Sequence, residues 1–214
     1  GGHSGLNIHE GFGNAIKLLS RILFGLKDKF HYHLVKIEGG SKHNAIPREA
    51  EAIIDVPADS VDTLKKSAAE FEQIFKDELR FVDAGIEVTV EAQASPKQVF
   101  STDFRDQLIG VLYAMPHGVI AMSHAIEGLV ETSTNMAIIE TKDDIIHMLT
   151  SQRSSVASSV VDIADKIKAL GQLGGFDIEQ GGGYPAWEPN PDSKLLKVCK
   201  DIYKNKYGNE PHVK

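Results

Sequence analysis

Three stretches of the sequence set polar side chains among residues that let backbone come close. Gly1-Gly2-His3-Ser4-Gly5 places an imidazole among glycines, where main chain can approach another surface. Gly39-Gly40-Ser41-Lys42-His43-Asn44-Ala45-Ile46-Pro47-Arg48 carries an amide and a guanidinium near the end of a polar loop. Thr150-Ser151-Gln152-Arg153-Ser154-Ser155 ends a strand pattern in an arginine, followed by serines suited to cap a helix. By composition alone, each reads as a loop before it reads as a site.

Nine histidines raise the question of a metal centre, and spacing answers it. His31 and His33 share one face of a strand, but no third ligand follows at usable spacing. His117, His124 and His147 are scattered and read as solvent-facing or locally hydrogen-bonded residues. The sequence has no His-Glu-x-x-His, no cysteine pair, no aspartate-rich calcium loop and no Gly-x-Ser-x-Gly elbow. Gly11-Phe12-Gly13-Asn14 resembles half of a dinucleotide fingerprint, but the strand-to-helix turn that holds a pyrophosphate is missing. No metal site is therefore expected within these residues.

The chain has 214 residues, 42% hydrophobic and 25% charged, which is ordinary for a globular protein with a real core. Thirty acidic residues against 23 basic ones give a net charge of -7, which argues against a nucleic-acid-binding surface. No apolar run approaches the roughly 20 residues of a membrane helix. The single cysteine, Cys199, has no partner for an internal disulfide, so a reducing, cytoplasmic compartment is expected. The opening glycines and the turn-like close around Gly208 read as the edges of a piece of a longer protein.

Hydrophobic spacing supplies the elements that would hold these loops. It predicts a helix from Ile8 to Phe30 with Asn7 as its cap, and strands over His31–Glu38 and Arg48–Val56. A helix through Leu79 follows, then a strictly alternating strand over Ile86–Val90. The order repeats with a helix over Thr102–Ala114, strands over Leu129–Glu140 and Asp144–Gln152, a helix over Ser154–Leu170 and a short strand at Phe176–Ile178. The expected fold is α+β: two fused split-βαβ, ferredoxin-like sandwich units, over residues 1–95 and 96–182, with helices on one face of an antiparallel sheet. A glycine run at Gly181-Gly182-Gly183 marks a boundary, and a helix from Asp192 to Tyr207 is expected to belong to a neighbouring domain.

Taken in order, several motifs resemble the lid domain of the Xaa-His (aminoacyl-histidine) dipeptidases, carnosinase-related enzymes of the dinuclear-zinc peptidase family. They are Gly-Gly-His-Ser-Gly followed by Ile8-His9 and Gly11-x-Gly13-Asn14-Ala15; Gly39-Gly40 with Asn44-Ala45-Ile46-Pro47-Arg48-Glu49-Ala50; and Pro116-x-Gly118-Val119-Ile120. Val130-Glu131-Thr132-Ser133-x-Asn135, Arg153-Ser154 and Tyr184-Pro185-x-Trp187-x-Pro189 continue the match.

The resemblance implies a lid over residues 1–182 and a piece of a catalytic domain over 183–214. It implies a parent hydrolase with two zinc ions whose ligands lie outside this chain. It also implies that His3 stabilises the oxyanion as a catalytic residue, and that Asn44 and Arg153 bind the dipeptide substrate. An arginine fork suits a carboxylate geometrically. The implied partners are the dipeptide, the parent's own catalytic domain and a second copy in a homodimer, with neither nucleic acid nor membrane. Two other classes fit the same fold: a small-molecule-binding regulatory module and a pure oligomerisation domain.

Overall fold

The computed structural model describes residues 1–186, 190 and 192–211. Its elements run β1 (His33–Gly39), β2 (Ala50–Asp55), β3 (Gly118–Met122), β4 (Val130–Lys142) and β5 (Ile145–Ser154), with helices α1 (Ala15–Leu26), α2 (Val61–Glu78), α3 (Thr102–Ala114), α4 (Ala157–Leu173) and α5 (Lys194–Tyr207). The class is α+β, as expected. The five strands form one antiparallel sheet ordered β2-β1-β4-β3, with β5 on the other edge of β4.

Both halves of the chain therefore build a single sheet. Its seam is narrow: β1 meets β4 through Gly39 opposite Ile139. Beyond that pair, the Thr141 hydroxyl accepts from Ile37 N–H and donates to Ile37 C=O, both at 2.9 Å, so a side chain stands in for a ladder residue. Ile16, Leu23 and Leu26 of α1, Phe75 of α2, Leu112 of α3 and Ile163 of α4 share one buried cluster with Leu34, Ile37, Met136 and Ile139 of the sheet. Burial of that apolar surface is the main force holding helices to strands.

Several expected elements shift for local reasons. Residues 8–10 form a separate 3₁₀ turn, because Gly11 in the left-handed region and the Phe12-Gly13 pair break the helix. Asn14, not Asn7, caps α1, its Oδ1 accepting from Lys17 N–H at 3.2 Å. At the other end of the chain, Ser193 rather than Asp192 caps α5.

The alternating segment Ile86–Val90 is extended but does not join the sheet. Ile86 and Val88 still pack against the core while Glu87 faces solvent, so the periodicity reported the facing of this pair, but Val90 at the end of the segment is exposed. Val88 N–H is taken by Glu72 at 2.8 Å instead of a neighbouring strand. Phe176–Ile178 likewise pairs with no strand; Phe176 packs edge-on against Phe104. The short β3 was not expected. The Trp187 and Pro189 of the last motif lie outside the described residues.

Candidate functional site

The site begins with two glycines that bring a loop onto the sheet. A Cβ on Gly40 would collide with the carbonyl of Ala137, and Gly40 has φ +70°, so only glycine fits there. A Cβ on Gly39 would meet Ile16 at 2.7 Å and Ala50 at 2.8 Å. The loop that follows therefore leaves β1 pressed against β4, and it carries Asn44.

Asn44 is tied to the N-terminal segment. Ser4 N–H donates to the Asn44 carbonyl at 2.8 Å, Ile46 N–H donates to Gly2 C=O at 2.7 Å, and His3 and Ala45 form an isolated antiparallel bridge. Among the described residues, the half-buried Asn44 side-chain amide makes no hydrogen bond. His3 is exposed at the tip of a turn closed by Asn7, whose Oδ1 accepts from His3 N–H at 2.9 Å.

The imidazole's tautomer follows from one contact. Gly5 N–H donates to His3 Nδ1 at 3.1 Å. A backbone amide only donates, so Nδ1 is the acceptor and the neutral ring carries its proton on Nε2, free to be offered outward.

Arg153 reaches the same place from β5, where it lies opposite Ser133 of β4. Its Nη1 donates to the Tyr184 hydroxyl at 3.1 Å, while its Nε is buried with no partner. Among the described residues no carboxylate pairs with it. Gly5 is the meeting point: a Cβ there would lie 3.0 Å from His3 Cε1 and 3.2 Å from Arg153 Cζ and Nη1. The three residues singled out in the sequence thus gather at one end of the sheet, His3 beside Asn44 through the bridge and beside Arg153 through Gly5.

A second polar group supports this end from below. Asn14 Nδ2 donates to Met136 C=O at 2.8 Å and lies 3.3 Å from His117 Nδ1. Burial, helped by the nearby Lys17 charge, pushes His117 down to about 4. Lys17 caps the C-terminal end of α3 with three bonds of 2.7 Å, to Leu112, Tyr113 and Met115 carbonyls, and burial lowers it to about 8.

Sequence reasoning quoted Ser4, Ser133 and Asn135 within its motifs but gave them no role; all three are buried. The available signal was a run of small polar residues in a strand whose neighbour Met136 belongs to the core.

Among the described residues no three His, Cys, Asp or Glu side chains are grouped to hold an ion. His31 and His33 approach to 3.3 Å between their Nε2 atoms, but they stand alone. Nor is any helix of the described residues long and apolar enough to cross a membrane.

Residues 1–83 match the family described as peptidase dimerisation domain. Over 213 residues the chain is 35% identical to the cytosol non-specific dipeptidase of Escherichia coli (strain K12), covering 100% of this chain and 44% of that protein. The crystal structure of the aminoacylhistidine dipeptidase from Vibrio alginolyticus superposes with a TM-score of 0.91 at 37% identity, covering 98% of this chain and 43% of that one. The chain thus spans less than half the length of these relatives. With the fold and the family match in agreement, residues 1–83 carry the peptidase dimerisation domain, and the chain as a whole is similar to just under half the length of these two dipeptidases.

Proposed function

We propose that this chain is the lid and dimerisation domain of a cytosolic, zinc-dependent dipeptidase that hydrolyses Xaa-His and related dipeptides. The metal ligands would come from residues outside this chain, since among the described residues no three donor side chains are grouped to hold an ion. The chain's share of the chemistry is to contact substrate and transition state. His3 offers Nε2–H to the oxygen of the scissile carbonyl as negative charge develops on it. A donor of this kind is worth on the order of 3 kcal/mol to the transition state. Arg153 holds the terminal carboxylate of the dipeptide with its guanidinium fork, and Asn44 holds the dipeptide backbone.

One observation carries the reading. Gly5 fixes the His3 tautomer that donates outward and sits against the Arg153 guanidinium, so an oxyanion donor and a carboxylate binder stand side by side. Closure of this surface over a catalytic domain would exclude water and deliver both groups to one substrate. Residues 183–214 fit a piece of that neighbouring domain, because α5 buries none of its residues here. A homodimer is in keeping with the family description of residues 1–83.

The test is His3→Ala in the full-length parent. It should lose about 10²- to 10³-fold in kcat, with KM, fold and metal content little changed, because the contact exists mainly in the transition state. Full kcat on a Xaa-His dipeptide at saturating substrate would refute the assignment.

A further inference from the structure

Asn135 is 1% exposed, in the middle of β4. Its neighbour Met136 joins the helix-packed core, so Asn135 projects to the opposite face of the strand. There its Nδ2 donates to the Ala45 carbonyl at 2.8 Å. A carbonyl only accepts, which fixes the orientation of the amide and turns Oδ1 away. That Oδ1 is buried without a partner, as is the hydroxyl of Ser4, which follows His3 in the chain. Buried unpaired acceptors are costly, so the amide sacrifices one hydrogen bond to keep its grip on Ala45.

Ala45 is the residue paired with His3, and the bridge continues through Ser4 to Asn44 and through Ile46 to Gly2. Among the described residues, Asn135 is the one side chain of the sheet that hydrogen-bonds this bridge. The same stretch of β4 fixes Arg153, because Ser133 lies opposite Arg153 and Asn135 opposite Ser151. One strand thus sets Arg153 through its ladder and His3 through a single amide.

We infer that Asn135 is a positioning residue for His3: its amide sets the depth and register of the His3–Ala45 bridge, and through it the place where Nε2–H meets the reacting oxygen. This rests on the reading of His3 as a transition-state donor. Asn135 touches no substrate and acts only through the bridge, so its contribution must vanish when His3 is gone.

The experiment is a double-mutant cycle in the full-length parent, with kcat, KM and metal content measured on a Xaa-His dipeptide. Asn135→Leu keeps the volume and removes the donor; it should lower kcat roughly 10- to 100-fold with KM changed little, as expected for a catalytic group displaced by a fraction of an ångström. In the His3→Ala background the same substitution should add under about 3-fold. Asn135→Asp supplies a second measurement: a protonated carboxyl can donate to Ala45 as the amide does, so kcat relative to wild type should rise as pH falls.

If His3→Ala keeps full kcat, the His3 assignment fails and this inference fails with it. If His3→Ala loses kcat while Asn135→Leu keeps it, or the two losses multiply in the double variant, the positioning role alone is overturned. Should Asn135→Leu not fold, a relative kcat for Asn135→Asp that stays flat with pH overturns the role as well.

Discussion

The imidazole of His3 and the guanidinium of Arg153 press on Gly5 from two sides, each close enough to touch a methyl group placed there. Two groups separated by most of the chain are thus spaced by the absence of one Cβ. Gly5→Ala must push both outward by a few tenths of an ångström. In the parent enzyme it should cost roughly 10-fold in kcat/KM, since small misplacements of catalytic groups are expensive. Thermal unfolding should shift little, because the turn is exposed. Wild-type kcat/KM in Gly5→Ala would mean that the spacing is not used.

On the proposed reading, Arg153 differs from His3 in when its substrate contact would be made. A carboxylate on its fork is already bound in the ground state, so Arg153→Ala should raise KM roughly 10- to 100-fold and leave kcat within a few-fold. Arg153→Lys should restore only part of the loss, because an ammonium cannot reproduce the bidentate geometry. Steady-state kinetics on a dipeptide and on its C-terminal amide would check this: the amide should be a poor substrate for the wild type and nearly indifferent to the substitution.

His117 makes the fold sensitive to acid. Its folded value of about 4 lies below the ordinary 6.5, so the unfolded chain takes up a proton more readily between those values. Stability present above pH 6.5 is therefore lost as pH falls toward 4, by up to ~3 kcal/mol from this residue. Urea unfolding of wild type and His117→Gln should give curves that diverge across that window, with the variant flatter. Parallel curves would place the origin of acid sensitivity elsewhere.

Much of this architecture was legible because apolar spacing is a local property. Thr102–Ala114 was placed to the residue, and β1, β2, β4 and β5 to within a few. What spacing cannot convey is pairing. Ile86 and Val88 face inward as their spacing predicts, yet Val88 N–H bonds to Glu72 rather than to a strand. The joining of two halves into one sheet turns on a contact between Gly39 and Ile139, a hundred positions apart. The site shows the same division. His3, Asn44 and Arg153 were assigned roles from their motifs, whereas Asn135, though part of the Thr132-Ser133-x-Asn135 motif, gained its meaning only from the carbonyl it grips. Gly5 likewise mattered only once two distant side chains were found against it.

The crossing of Gly40 over Ala137 also marks out which part of the loop that follows β1 is open to redesign. On one side the backbone is pinned to β4 at a position where no other residue fits, and on the other Asn44 is held to Ser4. Between them Ser41, Lys42 and His43 are exposed. Side chains at those three positions can be varied without touching either anchor, so long as the Lys42 carbonyl can still accept from Ala45 N–H at 3.2 Å.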